Sequence, residues 1–391
     1  MENSLYDTLI IGAGPIGSFL AYKLALNKHR VLVVEKKESV ETKICCTGII
    51  SKECYQELQL GNEIIVGQAN AATFYAPSGR YLRFLRNDEI AYITNRPIMN
   101  RMLANKAKAA GVEYRYATRT TDIKRDTGRL LVRADCPDGE IEFNTRSAVI
   151  AAGYGTNLIG KLGFNPIRQY SIGAQAEVEL ANIAEVEIYA DNTISPRGFA
   201  WLVPTREGKG LAGFLGQVKH RPELHLKNFL AKLKAQGKII SDDVAGDFAV
   251  IPLQPLARTY GERLLIAGEA AGQVKPITGG GIYYGIICAG IASDVLHRAL
   301  AADKLSAKNL RAYQKLWRAE LGREIAISYL AQRIWSKLNN KHIEYSFNIL
   351  QSKHIPELVA NTRNLSFDWH SKLLWQIAQS FLPFVGLQKR L

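Results

Sequence analysis

The sequence has no long apolar run and few cysteines. None of its 391 residues lies in an apolar stretch of the ~18–20 residues that a membrane-spanning helix needs. No basic and apolar leader precedes Asp7, so we expect no signal peptide and a cytoplasmic protein. The five cysteines are sparse and odd in number, which favours a reducing compartment over a disulfide framework.

Metal-binding patterns and acidic charge are also scarce. Cys45, Cys46 and Cys54 lack the paired spacing and the histidines of a zinc site, and we expect no metal. The formal net charge is +14, but no nucleic-acid-binding motif accompanies it. Eight of the excess basic charges lie after residue 300. This concentration predicts a basic surface that meets an anionic substrate or an anionic membrane face, and no nucleic acid.

What is present is an ordinary globular composition, with 47% hydrophobic and 22% charged residues. A chain of this length predicts one large domain or two interleaved domains. Alternating apolar residues and turn residues predict antiparallel strands at 69–84 and a strand-rich region at about 165–255. They also predict a hairpin at 130–144 and a separate buried strand at 149–153, whereas the chain after residue 290 is predicted to be helical.

The N-terminus carries a dinucleotide-binding fingerprint in its required context. A short apolar strand precedes Gly12-Ala13-Gly14-Pro15-Ile16-Gly17, and a helix and a second strand follow, ending at Glu35. The glycines allow a tight turn, close approach of a pyrophosphate and close packing of helix on strand. Glu35 lies 18 residues after Gly17, near the position of a ribose-hydroxyl acceptor. Because this carboxylate would repel a 2′-phosphate, we expect an NAD-like or FAD-like adenosine.

A second glycine-rich stretch runs from 263 to 290. A buried strand leads into Gly268 and Glu269, then into Pro276, three glycines at 279–281 and a long apolar helix. Glycine lets the backbone lie against a ligand, and a helix N-terminus favours an anionic one. Taken alone, the stretch predicts either a ligand site or a tight loop without a ligand.

Three further patterns are less specific. Cys45 and Cys46 lie beside a glycine just after the nucleotide unit and place a thiol near a cofactor, or are ordinary buried cysteines. The alternation in Phe199–Pro204 predicts, by periodicity alone, a plain sheet strand. Residues Trp369 to about Leu382 predict a helix with a wide apolar stripe, docked on the domain or lying at a lipid interface.

Together these motifs resemble the geranylgeranyl reductase family, within the FAD-dependent p-hydroxybenzoate hydroxylase fold. Likeness to the fold rests on the fingerprint, on Arg96 ahead of a helix (R-x-x-x-N-x-x-L), on the strand ending Ala152-Gly153, and on GEAAGQVKPITGGGI. Likeness to the family, which includes archaeal digeranylgeranylglycerophospholipid reductases, rests on KICCTG, FAWLVP and PITGGGI. The resemblance covers roughly residues 5–300 and leaves the last ninety or so without a recognised motif.

The resemblance implies an α/β (α+β) architecture with a Rossmann-type FAD-binding domain, an interleaved antiparallel-sheet substrate domain and a helical C-terminal region. The FAD-binding domain would comprise residues 1–68, 90–160 and 255–300. The substrate domain would comprise residues 69–89 and 161–254, and the helical region residues 301–391.

The cofactor implied by the resemblance is FAD. Its contacts would come from the fingerprint, the acid after the second strand, the cysteine turn, the R-x-x-x-N helix and the second glycine-rich stretch. These residues are Gly12, Ala13, Gly14, Pro15, Ile16, Gly17, Glu35, Lys36, Lys43, Thr47, Gly48, Arg96, Ala117, Ala152, Gly153, Gly268, Glu269, Gly272, Pro276, Gly279, Gly280, Gly281 and Ile282.

The same resemblance implies a catalytic cysteine near the flavin and a substrate tunnel. The cysteine is Cys45 when counted from Lys43 and Cys46 when counted back from Thr47-Gly48, and we prefer Cys46. Phe199, Trp201 and Pro204 would line the tunnel. Two departures are evident: Glu269 replaces the usual aspartate of G-D-A-A, and Phe199 replaces a tyrosine and so loses its hydroxyl.

We therefore expect a reductase that saturates isolated C=C bonds of a prenyl lipid or prenyl diphosphate. NAD(P)H or a ferredoxin-like carrier would supply the electrons, and the basic C-terminal region would make peripheral membrane contact. The alternatives are a flavin monooxygenase or halogenase, since halogenases carry a similar W-x-W-x-I-P stretch, and a flavoprotein passing electrons to a membrane quinone. The absence of cluster-binding cysteines weighs against the quinone-linked version. A binding protein that has lost FAD is a further alternative.

Overall fold

The computed structural model describes residues 5–42, 44–206, 208–218, 220–361 and 366–369, with Ser371 and Leu374. The strands are β1 Leu5–Ile11, β2 Val31–Val34, β3 Ile49–Ser51, β4 Ile65–Ala69, β5 Ala71–Tyr75, β6 Tyr81–Leu85, β7 Ala91–Thr94, β8 Glu113–Arg115, β9 Arg119–Asp126, β10 Arg129–Cys136, β11 Gly139–Ile150, β12 Tyr170–Glu179, β13 Val186–Tyr189, β14 Phe199–Pro204, β15 Lys209–Gly216, β16 Gly246–Pro252, β17 Tyr260–Gly261 and β18 Leu264–Ile266. The helices are α1 Pro15–Leu26, α2 Lys52–Leu58, α3 Arg96–Ala109, α4 Leu158–Lys161, α5 Pro222–Ala235, α6 Ile282–Ala301, α7 Ala307–Trp335, α8 Asn340–Ser352 and α9 Ile355–Asn361.

An eight-stranded sheet forms the nucleotide-binding layer. Its strands run in the order β17-β18-β11-β1-β2-β8, and β10 and β9 extend from β11. The pairs that β1 makes with β2 and β11 are parallel, and so are β2 with β8 and β11 with β18. Strand β2 is buried along its whole length, as expected for a continuous Val/Leu run covered on both faces. Helices α1, α3 and α6 cover one face, and the hydrophobic cluster on the other includes β9 and β10 residues.

Strand β11 differs from the sequence prediction of a hairpin strand followed by a separate buried strand. The structure has one twelve-residue strand there, Gly139–Ile150. Its first half pairs antiparallel with β10, and its second half pairs parallel with β1 and β18. The polar residues between the two apolar segments suggested a break, but Thr145 and Ser147 are buried and hydrogen-bonded to β1.

A seven-stranded sheet, in the order β16-β12-β15-β14-β13-β5-β6, forms the second layer. Because side chains alternate across a strand, Ala200 and Leu202 of β14 pack under α5, while Phe199, Trp201 and Val203 face the opposite side. A small sheet, in the order β3-β7-β4, contributes to the cluster on that opposite side. The second layer therefore has one face closed by a helix and one face turned toward the nucleotide-binding layer.

The helices after residue 301 join the two layers. In α7, the buried Trp317 donates its indole N–H to Thr259 Oγ1 at 3.0 Å, beside β17. Helix α8 packs Ile343 and Phe347 against Leu82 of β6. The predicted amphipathic helix from Trp369 to about Leu382 lies almost entirely outside the described residues.

The mixed α/β architecture confirms the predicted fold class. Strands β5 and β6 join the sheet built from residues after 161, as the interleaved arrangement requires, and the domain boundaries themselves stay a prediction. Within the described part of the chain, no helix combines the length and apolar character needed to cross a membrane.

Candidate functional site

The fingerprint loop connects β1 to α1, and each of its three glycines has a different structural role. Gly12 has φ +108°, and a Cβ there would lie 2.6 Å from the carbonyl oxygen of Ala151. At Gly17 a Cβ would lie 2.0 Å from the Gly12 carbonyl oxygen, so only glycine lets α1 pack this closely. Gly14 caps α1 without a side-chain hydrogen bond, and a Cβ there would meet nothing within 4 Å. The open side of Gly14 leaves the first amides of the helix available to an anion.

Glu35 stabilises this loop from the end of β2. Its carboxylate accepts hydrogen bonds from the backbone N–H groups of Ala13, at 2.8 Å, and Lys37, at 3.0 Å. Both oxygens keep further lone pairs, so the carboxylate can also accept a ribose hydroxyl. Lys36 is exposed beside it, and Ala117, at φ +49°, donates its N–H to the Lys37 carbonyl.

The second glycine-rich stretch lies directly against the first. A Cβ on Gly268 or Gly285 would contact Ile16, at 3.2 Å and 2.4 Å respectively. A Cβ on Gly153 would lie 3.7 Å from Glu269 Oε2, and one on Gly281 would lie 3.6 Å from Glu269 Oε1. The structure therefore brings together loops that are more than 250 residues apart in the sequence.

Glu269 lies where these loops meet. It carries a pKa raised by desolvation, with Arg96 acting in the opposite direction. Gly272, at φ +71°, turns the chain directly after it, and a Cβ there would lie 2.2 Å from the Gln254 carbonyl oxygen. Helix α6 then begins at Ile282, and its N-cap residue, Gly281, offers the first amides no side-chain hydrogen bond. The site thus contains a second uncapped helix N-terminus.

Arg96 and Asn100, both on α3, each carry a buried polar atom that has no hydrogen-bond partner within the described chain. Arg96 is 8% exposed, and within the described chain its Nε has no partner and its guanidinium has no carboxylate in ion-pair distance. Its Nη1 contacts only the sulfur of Met99, at 3.9 Å. Asn100 donates to the Val40 carbonyl while its own Oδ1 has no partner. Glu269 acts on Arg96 electrostatically but lies beyond ion-pair distance, so the guanidinium can still bind a further anionic group.

The loop at 276–281 abuts the open face of the seven-stranded sheet, and we call it the ring-side loop because the sequence resemblance would place it along a flavin ring. A Cβ on Gly279 would lie 2.9 Å from Leu215 and 3.7 Å from Ile251. Leu215 packs with Trp201 and Phe199, and these two aromatic rings lie 5.8 Å apart. We call these residues the apolar wall: Phe199, Trp201, Val203, Leu211, Leu215 and Ile251. Pro204 alternates away from this wall, so the structure does not bring it to the face that Phe199 and Trp201 share.

The cysteine turn, residues 45–48, lies between the seven-stranded sheet that carries the apolar wall and Arg96 at the start of α3. Its last residue, Gly48, accepts hydrogen bonds at its carbonyl from the N–H and Oγ1 of Thr94, at 3.0 and 2.7 Å. A Cβ on Gly173 of β12 would lie 3.8 Å from Cys45 Sγ, so this sulfur lies over the seven-stranded sheet. Burial, with smaller effects of Cys46, Asp247 and Glu269, raises the pKa of Cys45 to about 12.

Cys46 and Thr47 are both half-buried, and the Cys46 carbonyl accepts a hydrogen bond from Gln175 Nε2 at 3.3 Å. Lys43 lies outside the described residues. The sequence interpretation did not include Gln175. A polar residue within the otherwise apolar alternation of β12 was the signal that could have found it.

A cleft opens beside the apolar wall and involves the helical region. It is lined by Phe199, Leu215, Pro276, Ile277, Gln332 and Trp335. Trp335, at the end of α7, donates its indole N–H to the Gly198 carbonyl at 3.0 Å, which fixes the helix against the start of β14. No sequence motif marked these α7 residues, because their place in the site depends on long-range packing.

Comparison with known proteins agrees with this geometry. The model of an NAD(P)-binding Rossmann-like domain matches residues 10–40. The digeranylgeranylglycerophospholipid reductase of Methanocaldococcus jannaschii is 27% identical over 352 residues, covering 88% of this chain and 90% of that protein. A geranylgeranyl bacteriochlorophyll reductase-like structure from Thermoplasma acidophilum has a TM-score of 0.85 at 18% identity, covering 98% of this chain and 99% of that one. The chain is therefore similar, over most of its length, to a protein named as a prenyl-lipid reductase.

The same fold is found in a flavoprotein with a different name. A variant of halogenase PltM, in complex with FAD, has a TM-score of 0.69 at 13% identity, covering 96% of this chain and 92% of that one. The residues present here fit the same cofactor. The open helix starts at Gly14 and Gly281, the Arg96 guanidinium, which has no ion-pair partner among the described residues, and the Glu35 carboxylate match a molecule with a diphosphate and a ribose.

Proposed function

We propose that this chain is an FAD-dependent reductase that saturates isolated C=C bonds of prenyl chains, carried by an ether-type lipid or a prenyl diphosphate. The observation that carries the proposal is the meeting of the ring-side loop, the apolar wall and the cysteine turn. A loop suited to a flavin ring packs on an uncharged surface, with the half-buried thiol of Cys45 beside it. The named activity of the Methanocaldococcus relative supports a prenyl lipid as the substrate class.

The chain's own residues would hold FAD at three points. The amides at the start of α1 and the Arg96 guanidinium would bind the diphosphate, and Glu35 would accept a ribose hydroxyl. Glu269, at the junction of the loops, would lie near the ribityl chain. When bound and reduced, FAD would supply the hydride that an alkene requires.

An isolated alkene has no carbonyl to take up charge, so a proton must be delivered to one carbon as hydride reaches the other. Burial keeps the Cys45 thiol protonated throughout the physiological pH range, because its pKa is raised to about 12. A protonated thiol in an apolar site can act as the general acid. We place this role on Cys45, whose sulfur lies over the substrate sheet. The sequence alone had favoured Cys46.

The apolar wall would bind the prenyl chain and exclude water. Phe199, Trp201 and Leu215 offer no charge to the substrate, which suits a hydrocarbon and protects the reduced cofactor from side reactions. The basic excess after residue 300 would meet the phosphate group or the anionic membrane that carries the lipid. NAD(P)H or a ferredoxin-like carrier would reduce the flavin.

The test is anaerobic reoxidation of the reduced flavin. The FAD-loaded protein is reduced with dithionite, and a geranylgeranyl-chain lipid or its saturated phytanyl counterpart is added. We expect the spectrum of oxidised flavin to return with the unsaturated lipid only, since only it can accept a hydride. A different result would be that neither lipid oxidises the flavin, while in air an aromatic compound stimulates oxygen consumption. The protein would then be a monooxygenase or halogenase.

The cysteine assignment is tested by comparing Cys45→Ala with Cys46→Ala in this assay. Loss of a general acid lowers turnover by about 10²–10⁴-fold. We expect the larger loss from Cys45→Ala, with flavin binding retained in both variants. A larger loss from Cys46→Ala would move the acid to Cys46, and full activity in both would exclude a thiol acid.

A further inference from the structure

Two buried polar atoms on the apolar wall face have no hydrogen-bond partner within the described chain. They are the indole Nε1 of Trp201 and the amide Oε1 of Gln175. Trp201 is 9% exposed and Gln175 is 4% exposed, so solvent at the surface cannot satisfy either atom. Leaving a donor and an acceptor buried and unpaired costs free energy.

The two side chains belong to neighbouring positions on one face of the sheet. Gln175 of β12 pairs with Gly213 of β15, and Gly213 pairs with Trp201 of β14, so the three residues form one row. Residues in such a row point to the same face of a sheet. A Cβ on Gly213 would lie 2.7–2.8 Å from the indole atoms Cζ2 and Cε2, and Cε2 is bonded to Nε1. The polar edge of the indole therefore lies over Gly213, next to Gln175.

This spot adjoins the cysteine turn. Gln175 Nε2 already donates to the Cys46 carbonyl, which leaves Oε1 as the free end of the amide. The sulfur of Cys45 lies over Gly173, two residues earlier on the same face of β12. Alternate residues of a strand are separated by about 6.6–6.8 Å. A small ligand beside the Gln175 amide would therefore be a near neighbour of the thiol.

The chemistry of the two free atoms selects the ligand. One N–H donor opposite one C=O acceptor matches an O–H group, which accepts from the indole and donates to the amide. A phosphate would find neither a cation nor a second donor here, and its anionic oxygens would face the amide oxygen. A single buried water satisfies such unpaired groups in many proteins.

We propose that Gln175 and Trp201 hold a water molecule that returns protons to the Cys45 thiol after each turnover. This role rests on the proposed function, in which reduced FAD supplies the hydride. The S–H bond breaks as the new C–H bond forms on the alkene. The S–H bond then re-forms with a proton from the water, and a proton from solvent restores the water. Each reduced bond consumes one solvent proton. Gln175 is a positioning residue in this scheme.

The water site is tested by NMR on the full chain with indole-¹⁵N tryptophan, without cofactor or substrate. The Trp201 Hε1 resonance is assigned by its loss in Trp201→Phe. We expect a cross-peak from this proton to water in the wild-type protein. It should disappear in Gln175→Met, which keeps the side-chain length but removes the acceptor. Gln68→Met, on an exposed position of β4, is the matched control and should retain it.

Absence of the cross-peak in the wild-type protein, or its persistence in Gln175→Met, overturns the water site. If Gln175→Met does not fold, the wild-type spectrum alone decides. In turnover, Gln175→Met should lower kcat on the order of tenfold, leave KM near its wild-type value and increase the solvent isotope effect. An unchanged kcat and isotope effect overturn the relay. If wild-type protein reduces no prenyl bond, the proposed function and the relay fail, while the cross-peak still decides the water site.

Discussion

The proposed cofactor site is tested by substituting Gly14 and Gly17 of the fingerprint loop by alanine. We expect the first substitution to weaken FAD binding and the second to destabilise the fold. At Gly17 a Cβ would lie 2.0 Å from a backbone oxygen of Gly12 and 3.3 Å from Ile10. Backbone cannot yield as a flexible side chain does, so α1 would shift from β1. At Gly14 the added methyl would meet no protein atom within 4 Å, and φ −65° with ψ 178° is ordinary extended backbone.

The expected magnitudes differ accordingly. Gly17→Ala should lower the free energy of unfolding of the cofactor-free protein by about 1–3 kcal/mol or more, as overpacking does. Gly14→Ala should leave it within about 1 kcal/mol of wild type. The Gly14 methyl would nevertheless lie on the open side of the helix N-terminus. Loss of one hydrogen bond to a charged diphosphate, worth about 1.5–3 kcal/mol, would weaken FAD binding by roughly 10–150-fold.

The assay combines urea unfolding of the cofactor-free variants with FAD titration followed by fluorescence quenching. Gly79→Ala is a control of unrelated position: Gly79 lies in an exposed turn at φ +88°, and its substitution should lower stability somewhat without changing FAD affinity. If Gly14→Ala binds FAD as tightly as wild type, the diphosphate does not lie at the start of α1, and the proposed cofactor site is wrong.

Three further predictions concern buried charges and thiols. At pH 8 Cys45 should react with iodoacetamide about 10³-fold more slowly than an unperturbed cysteine, because a pKa of about 12 leaves little thiolate. Mass spectrometry of the alkylated peptides measures this rate, and rapid alkylation of Cys45 would contradict the prediction. Lys275→Met should destabilise the protein by about 3–5 kcal/mol in urea unfolding, because Asp368, 2.6 Å from Lys275 Nζ, would stay buried without its partner; a loss below 1 kcal/mol would count against burial of this pair. Glu269→Gln should raise the melting temperature of the cofactor-free protein at pH 7, with a smaller gain at pH 5, because the raised pKa of Glu269 makes its ionised form destabilising above that pKa; a gain that grows as pH falls would show the opposite shift.

The cofactor half of the site was predictable because its motifs are local. Gly12, Gly14 and Gly17 are separated by fixed spacings that a turn and a helix start impose, and Glu35 follows at the end of the next strand. The structure places Glu35 against the Ala13 amide, and its role as a ribose-hydroxyl acceptor stays a prediction. The second glycine stretch was also visible, but its contact with Ile16 was expected only through the resemblance.

The substrate half was less predictable because its residues meet only in three dimensions. Gln175 and Trp201 lie in one row because two strand registers align them across Gly213. Trp335 reaches the cleft at the end of a 29-residue helix that bears no motif. Strand β11 was divided in two because its buried hydroxyl residues, hydrogen-bonded to β1, have the composition of a loop.

Transfer of hydrogen from this chain's cofactor to an isolated alkene is measured directly by the mass of the lipid product. Purified protein loaded with FAD is reduced anaerobically and incubated with geranylgeranyl lipid or geranylgeranyl diphosphate. We expect mass spectrometry to show a gain of two hydrogen atoms for each reduced bond, with no oxygen incorporated. A lipid of unchanged mass, recovered from protein that retains reducible FAD, would contradict it.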